Sequence, residues 1–247
     1  MPLLNQPVLL TLTSPMLRRF YRRFRRTKLF VQNGFFPKVC KRKNLVFLGT
    51  VYGGWMIDES LLDASSTVLS FGLGEDISFD QEIIKRFGSR VHGFDPTPKS
   101  IAWLKQQELP EQFELHSFGL AGIDGILEFS VPKEEGFASY SSVEELNPAN
   151  ETVQLPVKRI STVLSELKLV DVDILKMDIE GSEYEVIQDL VKSDFRPKQV
   201  LVEYHHRIHN TSFDKTRHSI DSLLKAGYEL FNISELGDEY SFVYSAG

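Results

Sequence analysis

The sequence predicts an α/β fold: a mostly parallel sheet of seven strands, ended by an antiparallel C-terminal hairpin and preceded by a basic helical arm. Three observations lead there. From about residue 66 short apolar runs alternate with amphipathic stretches, as stacked βαβ units do. The last two apolar runs are separated only by Ser234–Glu239, too short for a crossover helix, so they pair antiparallel. Residues 1–50 hold 11 Lys and Arg and no acid, whereas the rest carries 17 bases against 34 acids.

The arm, residues 1–47, contains a helix candidate. Ser14 suits its N-cap and Pro15 its first position, where no amide donor is needed. Leu17, Phe20, Tyr21 and Phe24 then share one face, and Arg18, Arg19, Arg22, Arg23, Arg25 and Arg26 fill the rest. Such a basic amphipathic helix suits peripheral contact with an anionic membrane through Arg18–Arg26. The alternative packs its aromatic face on the body, leaving the arginines to solvent or to the acidic body. No nucleic-acid motif accompanies the charge, so no nucleic acid is expected.

The main domain, residues 48–247, takes strands at Thr67–Phe71, Arg90–Phe94, Phe113–Phe118, Asp173–Met177, Gln199–Tyr204, Tyr228–Ile233 and Tyr240–Tyr244. Helices fill 77–87, 98–107, 159–167, 182–192 and 214–226. Gly125–Val131 and Val153–Val157 read as inserted β structure, with a surface loop over Glu134–Thr152. The composition, 42% hydrophobic and 25% charged, supports one large core. The lone Cys40 excludes an internal disulfide framework. No apolar run reaches membrane-spanning length. The apolar Pro7–Leu10 precedes the positive charges, the wrong order for a secretory signal, so a cytoplasmic protein is expected.

Four motifs carry chemistry. Val68–Asp76 runs an apolar strand into Gly72-Leu73-Gly74, the turn of a Rossmann-like nucleotide-binding crossover. The third glycine of the dinucleotide fingerprint would fall at Ile77, which counts against NAD or FAD; S-adenosylmethionine has no phosphate, so two glycines suffice. Asp95 ends the next strand, 21 residues after Gly74, where a ribose-binding acid belongs; its other reading is a helix cap before Pro96-Thr97-Pro98. Asp173–Glu183 delivers Lys176, Asp178 and Glu180 to the carboxyl edge of the sheet, while Ser182 and Glu185 also fit a capping box. Val200–His206 ends in an acid and two histidines. Glu203 and His205 share one face, Tyr204 and His206 the other. The remaining histidines, His92, His116, His209 and His218, have no such context and read as structural or surface residues.

Phe71–Asp76, the phrase Leu175-Lys176-Met177-Asp178-Ile179-Glu180-Gly181-Ser182-Glu183 and Val202-Glu203-Tyr204-His205 together resemble the FkbM family of S-adenosylmethionine-dependent methyltransferases. Leu48–Trp55 looks like the segment preceding the core in some members, and Gly227–Phe231 with Glu239–Phe242 like the closing hairpin, so the resemblance covers roughly 48–245. It implies the class I methyltransferase sheet, with the last strand inserted antiparallel. Two positions depart: Ser70 stands where many class I enzymes carry an acid, and Asp76 where they carry a third glycine. Phe71, Gly72, Gly74, Glu75, Asp76, Asp95, Asp178 and Glu180 are thereby the expected cofactor contacts.

The reaction expected is O-methylation of a hydroxyl on a sugar, glycan or natural product, for which a base or a metal is needed. The preferred base is His205, oriented by Glu203 or a neighbouring acid, with Asp178 and Glu180 lining the sulfonium and acceptor region. A second version makes Asp178 and Glu203 ligands of Mg²⁺. N-methylation needs no strong base and is the close rival; a non-catalytic protein that kept the fold is the alternative of a different class. Acceptor choice is assigned to the Glu134–Thr152 and Tyr204–Thr211 segments and to the N-terminal arm, with Phe137, Tyr140 and Trp55 as stacking candidates.

Overall fold

The structure, a computed structural model, describes residues 14–130, 141–142, 152–206 and 212–245. Pro7–Leu10, Phe137, Tyr140, His209 and most of the Glu134–Thr152 segment lie outside them. The elements are, in order, helix α1 (Pro15–Gln32), strands β1 (Leu45–Leu48), β2 (Trp55–Asp58) and β3 (Thr67–Phe71), α2 (Ser78–Phe87), β4 (Arg90–Phe94), α3 (Pro98–Leu104) and β5 (Phe113–His116). There follow β6 (Gly119–Leu120), β7 (Gly125–Ser130), β8 (Ser141–Ser142), β9 (Thr152–Lys158), α4 (Ile160–Leu167) and β10 (Ile174–Met177). The chain closes with α5 (Glu183–Lys192), β11 (Gln199–Glu203), α6 (Phe213–Lys225), β12 (Tyr228–Ile233) and β13 (Glu239–Tyr244).

The central sheet has seven strands in the order β12-β13-β11-β10-β3-β4-β5. β3, β4, β5, β10 and β11 pair in parallel, and β13 runs antiparallel to both β11 and β12. This is the arrangement the sequence predicts. Strands β3 and β10 are apolar on both faces because both faces are covered, as parallel strands require. Val163 of α4, Val186 and Leu190 of α5, and Ile220 and Leu223 of α6 fill one side. Phe79 and Ile83 of α2, Leu104 of α3, and Leu48, Trp55 and Ile57 of the β1–β2 hairpin fill the other. The inserted β structure is a separate four-stranded sheet, β6-β9-β7-β8.

Two expectations need correction. The boundary placed before residue 48 falls inside β1, which pairs with β2 over Leu45–Leu48 and belongs to the hairpin. The described part of the arm packs on the main body: Leu29, Phe30 and Phe35 join the main core, Phe35 edge-on to Phe213. Its aromatic stripe does not pack inward. Leu17, Phe20 and Phe24 are 52%, 70% and 58% exposed, while Arg19, Arg22, Arg23 and Arg26 face the body. The acidic hairpin β12–β13 draws this face in: Arg19 pairs with Glu235, and Arg26 donates to the carbonyls of Ile233 and Ser234 at 3.0 and 2.9 Å.

Candidate active site

The carboxyl ends of β3, β4, β10 and β11 open into one cavity of about 1090 Å³, bounded by the 51–56 segment, α1 and the β12–β13 hairpin. It lies where ligands of open α/β sheets bind and exceeds the usual 300–1,000 Å³ of a single-ligand pocket.

Its first wall is the glycine turn. Gly72 takes φ of 77°, and a Cβ there would lie 1.7 Å from the Asp178 carbonyl oxygen. Two strand ends meet here: Asp178 N donates to Phe71 O, and Lys176 Nζ donates to Gly72 O at 2.5 Å. Gly74, at φ 56°, has open space where its Cβ would stand, so a ligand can approach its backbone. Phe71 is placed differently from expectation: its ring is fully buried, stacked on Phe94 with centroids 4.1 Å apart, and does not line the cavity.

The acids nearby are busy. Asp95 lines the cavity, but its Oδ2 accepts from the amides of Leu73 and Gly74, and its Oδ1 from the Thr97 amide and hydroxyl. Four donors meet roughly four lone-pair sites, so a ribose contact requires the Thr97 hydroxyl to turn away. The cap reading and the ribose reading share one side chain. Asp76 accepts from Thr50 Oγ1 and the Ser78 amide, fastening the 49–54 segment to the turn, and Glu75 pairs with Lys99 at 3.0 Å. Beneath Ser70 stands a carboxylate that sequence reasoning missed. Asp80, in the first turn of α2, is 1% exposed, and burial pushes its pKa up to about 6, opposed chiefly by Lys176. Asp80 does not line the cavity; it stands as a counter-charge to Lys176 rather than as a replacement for the acid absent at Ser70.

The opposite wall gathers Asp178, Glu180, Glu203 and His205. His205 is 7% exposed and lies between acids. Its Nδ1 is 3.2 Å from Glu183 Oε1; its Nε2 is 3.3 Å from Glu180 and 3.6 Å from Asp178. Glu183, fully buried, also accepts from the His205 amide at 2.8 Å and from the Gly181 amide at 2.8 Å. The acid at Nδ1 of the His205 ring is therefore Glu183, a neighbouring acid, and not Glu203. Burial disfavours the charged ring, but the Glu183 hydrogen bond and charge, with Glu180 and Asp178, outweigh it and raise the His205 pKa well above the ordinary histidine range. Burial, reinforced by Asp178, holds the Glu203 carboxyl well above the usual carboxylate range. Its strand neighbour Glu239 is pushed up to about 7 by burial, then by Asp178 and Asp238.

Glu180 sits at φ 52°, a left-handed position that costs a side-chain-bearing residue about 1 kcal/mol. The turn that holds it also aims its carboxylate at His205. Ser182 is the N-cap of α5 but makes no side-chain cap bond, so the capping box does not form. Tyr204 and His206 point away, as the two-residue period requires: Tyr204 OH donates to Ser219, and His206 Nε2 lies 3.5 Å from Asp238. One atom each of Asp178, Glu203 and His205 lie within 4.8 Å of one another, compact enough for a shared cation. His92, Glu114 and His116 form a second such group. The His92–His116 contact of 3.2 Å joins β4 to β5, and neither histidine lines the cavity.

A protein-family model described as the methyltransferase FkbM domain matches residues 64–230. The human probable methyltransferase-like protein 24 is 25% identical over 171 residues, covering 68% of this chain and 40% of that protein. Among solved structures, the methyltransferase FkbM from Methylobacillus flagellatus KT aligns over 74% of this chain and 44% of its own, at 15% identity and a TM-score of 0.44. The fibrillarin pre-rRNA processing protein of Methanococcus jannaschii aligns over 85% and 88% of the two chains, at 9% identity and a TM-score of 0.46. The chain thus spans about two fifths of the human relative's length.

Proposed function

The chain belongs to the FkbM methyltransferase family, and from that premise we propose that it methylates a hydroxyl of a sugar, glycan or natural product, using S-adenosylmethionine. The observation that carries this reading is the single cavity joining the glycine turn to the His205 cluster, with volume for a cofactor and an acceptor together. The residues fit the cofactor. Gly74 leaves open space at the turn, Gly72 lets the strand end pass Asp178, Asp95 and Thr97 stand at the end of β4, and Glu75, Asp76, Asp178 and Glu180 surround the remainder. When bound, S-adenosylmethionine supplies an electrophilic methyl group.

The chain's own work is to hold the acceptor and take its proton. His205 accepts that proton at Nε2, while Glu183 fixes the ring through Nδ1. Its acids favour the imidazolium, so the base is competent only once the ring is neutral. Positive charge placed beside Asp178 eases that deprotonation. A second reading follows from the compactness of Asp178, Glu203 and His205. These would hold Mg²⁺, with the Glu183 contact to Nδ1 in the supporting role usual for a metal-bound histidine; such an ion would lower the pKa of an acceptor hydroxyl.

The arm extends the proposal to location. Met16, Leu17, Phe20, Phe24 and Val31 form an exposed apolar stripe on the outer side of α1, near the cations Arg25 and Lys28. That pattern suits peripheral attachment to an anionic bilayer; among the described residues no helix is long and apolar enough to cross one.

The test is calorimetric titration with S-adenosylhomocysteine, beside Asp95→Ala with its fold checked by circular dichroism. One-to-one binding by the wild type, lost in a folded variant, supports the cofactor site and licenses acceptor screening with and without Mg²⁺. No binding to the folded wild type would falsify the reading.

A further inference from the structure

The cavity has two chemically different sides. The catalytic side carries Asp178, Glu180, Glu203 and Glu239; across from it α1 presents Arg19, Arg22, Arg23 and Arg26 at helical spacing. The four arginines are not equivalent. Arg19 and Arg26, at the ends of the row, are committed to Glu235 and to the Ile233 and Ser234 carbonyls. Between these two pins, Arg22 and Arg23 line the cavity without a hydrogen bond or ion pair from their guanidinium groups to any described residue. The Nε of Arg22 is buried and unpartnered. Leaving a buried charged donor unsatisfied costs more than a neutral one.

The crowding has an electrostatic signature. Burial and then the neighbouring Arg23 lower the Arg26 pKa from its ordinary value. Arg22 acts favourably on the Glu239 charge, but among the described residues no hydrogen bond or ion pair joins the two. Two guanidinium forks with no acid bonded to them match a doubly charged oxyanion, the geometry that planar bidentate donors recognise best.

We infer that Arg22 and Arg23 bind a phosphate group carried by the methyl acceptor, so that the substrate is a hydroxyl compound bearing a phosphate ester. The inference rests on reading the cavity as the methyltransferase site. Phosphate held by α1 leaves the rest of the acceptor to extend toward His205, and the pins at Arg19 and Arg26 keep the pair from folding away. The phosphate belongs either to a soluble phosphorylated compound or to a lipid headgroup; both present the same oxyanion to the same forks.

The experiment uses the full chain in three arms. Calorimetry with S-adenosylhomocysteine tests the cofactor reading by itself. Calorimetry with glucose 1-phosphate against glucose tests a soluble phosphate ester. Sedimentation with phosphatidylcholine vesicles, with and without phosphatidic acid, tests a lipid-borne one. Each arm compares the wild type with the double variants Arg22→Gln/Arg23→Gln and Arg25→Gln/Lys28→Gln, which remove equal charge from opposite sides of the helix. The expected result is binding of one phosphate-bearing probe, the vesicle arm being run at salt high enough to screen Arg25 and Lys28, that weakens about tenfold or more in the first variant and less than twofold in the second. Equal weakening in both variants would show bulk charge alone and overturn the inference, as would failure of every phosphate probe to bind a wild-type chain that takes up S-adenosylhomocysteine. Retained, Arg22- and Arg23-dependent phosphate binding with no S-adenosylhomocysteine binding supports the oxyanion site and sinks the methyltransferase reading instead.

Discussion

Both ring nitrogens of His205 face carboxylates, and this decides how the site responds to pH. A base works in its neutral form, and a ring whose pKa is raised well above the histidine range becomes neutral only as pH rises through that higher value. Activity is therefore expected to climb along an alkaline limb. Glu183→Gln keeps an oxygen for Nδ1 but removes the nearest charge, so the limb should move to lower pH; a profile of kcat/KM for both proteins checks the sign, and an unmoved limb removes Glu183 from the argument. His205→Gln should lower kcat by about 10²–10⁴-fold with S-adenosylhomocysteine affinity unchanged, the loss expected of a missing general base. A small loss instead favours nitrogen as the acceptor atom. Gly72→Ala is a harsher change, because its Cβ would meet the Asp178 carbonyl at 1.7 Å and neither backbone can yield. It should abolish S-adenosylhomocysteine binding or folding, as calorimetry and circular dichroism report. At this scale the sequence names His205 and its strand-face partner Glu203, since a period of two is a local rule. It does not name Glu183 as the orienting acid or Asp80 as the buried counterpart of Lys176. Both lie on helix turns whose direction depends on tertiary packing, and the Ser182–Glu185 spacing that reads as a capping box forms none.

Strands and helices of the core were the most legible part of the sequence, and their chemistry says why. The runs that become β3, β10 and β11 are mostly apolar because both their faces are covered, and the intervening helices show one apolar stripe each. The antiparallel pairing of β12 and β13 follows from a connection too short to cross the sheet, whereas the place of β13 between β11 and β12 is what the family resemblance implies. The β1–β2 hairpin was less visible as structure, since four-residue strands carry little period. Two polar side chains fasten it to the central sheet, and one of them is Ser241, whose Oγ donates to the Met56 carbonyl at 2.9 Å. Gln199, fully buried at the start of β11, accepts from the Asp58 amide at 2.8 Å and donates to the Asp58 carbonyl at 3.1 Å, acting as one more rung of ladder. Gln199→Leu keeps most of the volume but leaves a buried amide and carbonyl without partners, at about 1–3 kcal/mol. A chain of this size should lose roughly 2–4 °C of Tm per kcal/mol. Thermal denaturation checks this, and an unchanged Tm would mean that water or a shifted backbone satisfies Asp58.

Over the whole molecule, charge and apolar surface are both polarised. The basic first fifty residues face an acidic remainder, and α1 resolves the opposition by turning four arginines toward the cavity and the acidic hairpin. That rotation carries a consequence: the face opposite the arginines is the aromatic one, so turning the charge toward the cavity leaves Phe20 and Phe24 in solvent, while Arg19 and Arg23 themselves stay exposed. Across the cavity mouth Val51 and Tyr52 are 82% and 83% exposed, and both line the same opening. An entrance flanked on two sides by apolar side chains is suited to lie against a lipid surface, with Lys28 and Arg25 near the bilayer plane. The proposal of peripheral attachment predicts co-sedimentation with phosphatidylserine-containing vesicles that weakens as salt rises, because each cation near an anionic surface contributes about 1 kcal/mol and that attraction is screened. Phe20→Ser/Phe24→Ser should reduce vesicle binding at every salt concentration, since it removes apolar burial rather than charge. Arg25→Gln/Lys28→Gln should reduce it chiefly at low salt. Neither pair packs into the core, so Tm should stay within a few degrees for both. If the aromatic variant binds vesicles as well as the wild type, the exposed stripe has another occupant, and the arm's task ends at the cavity.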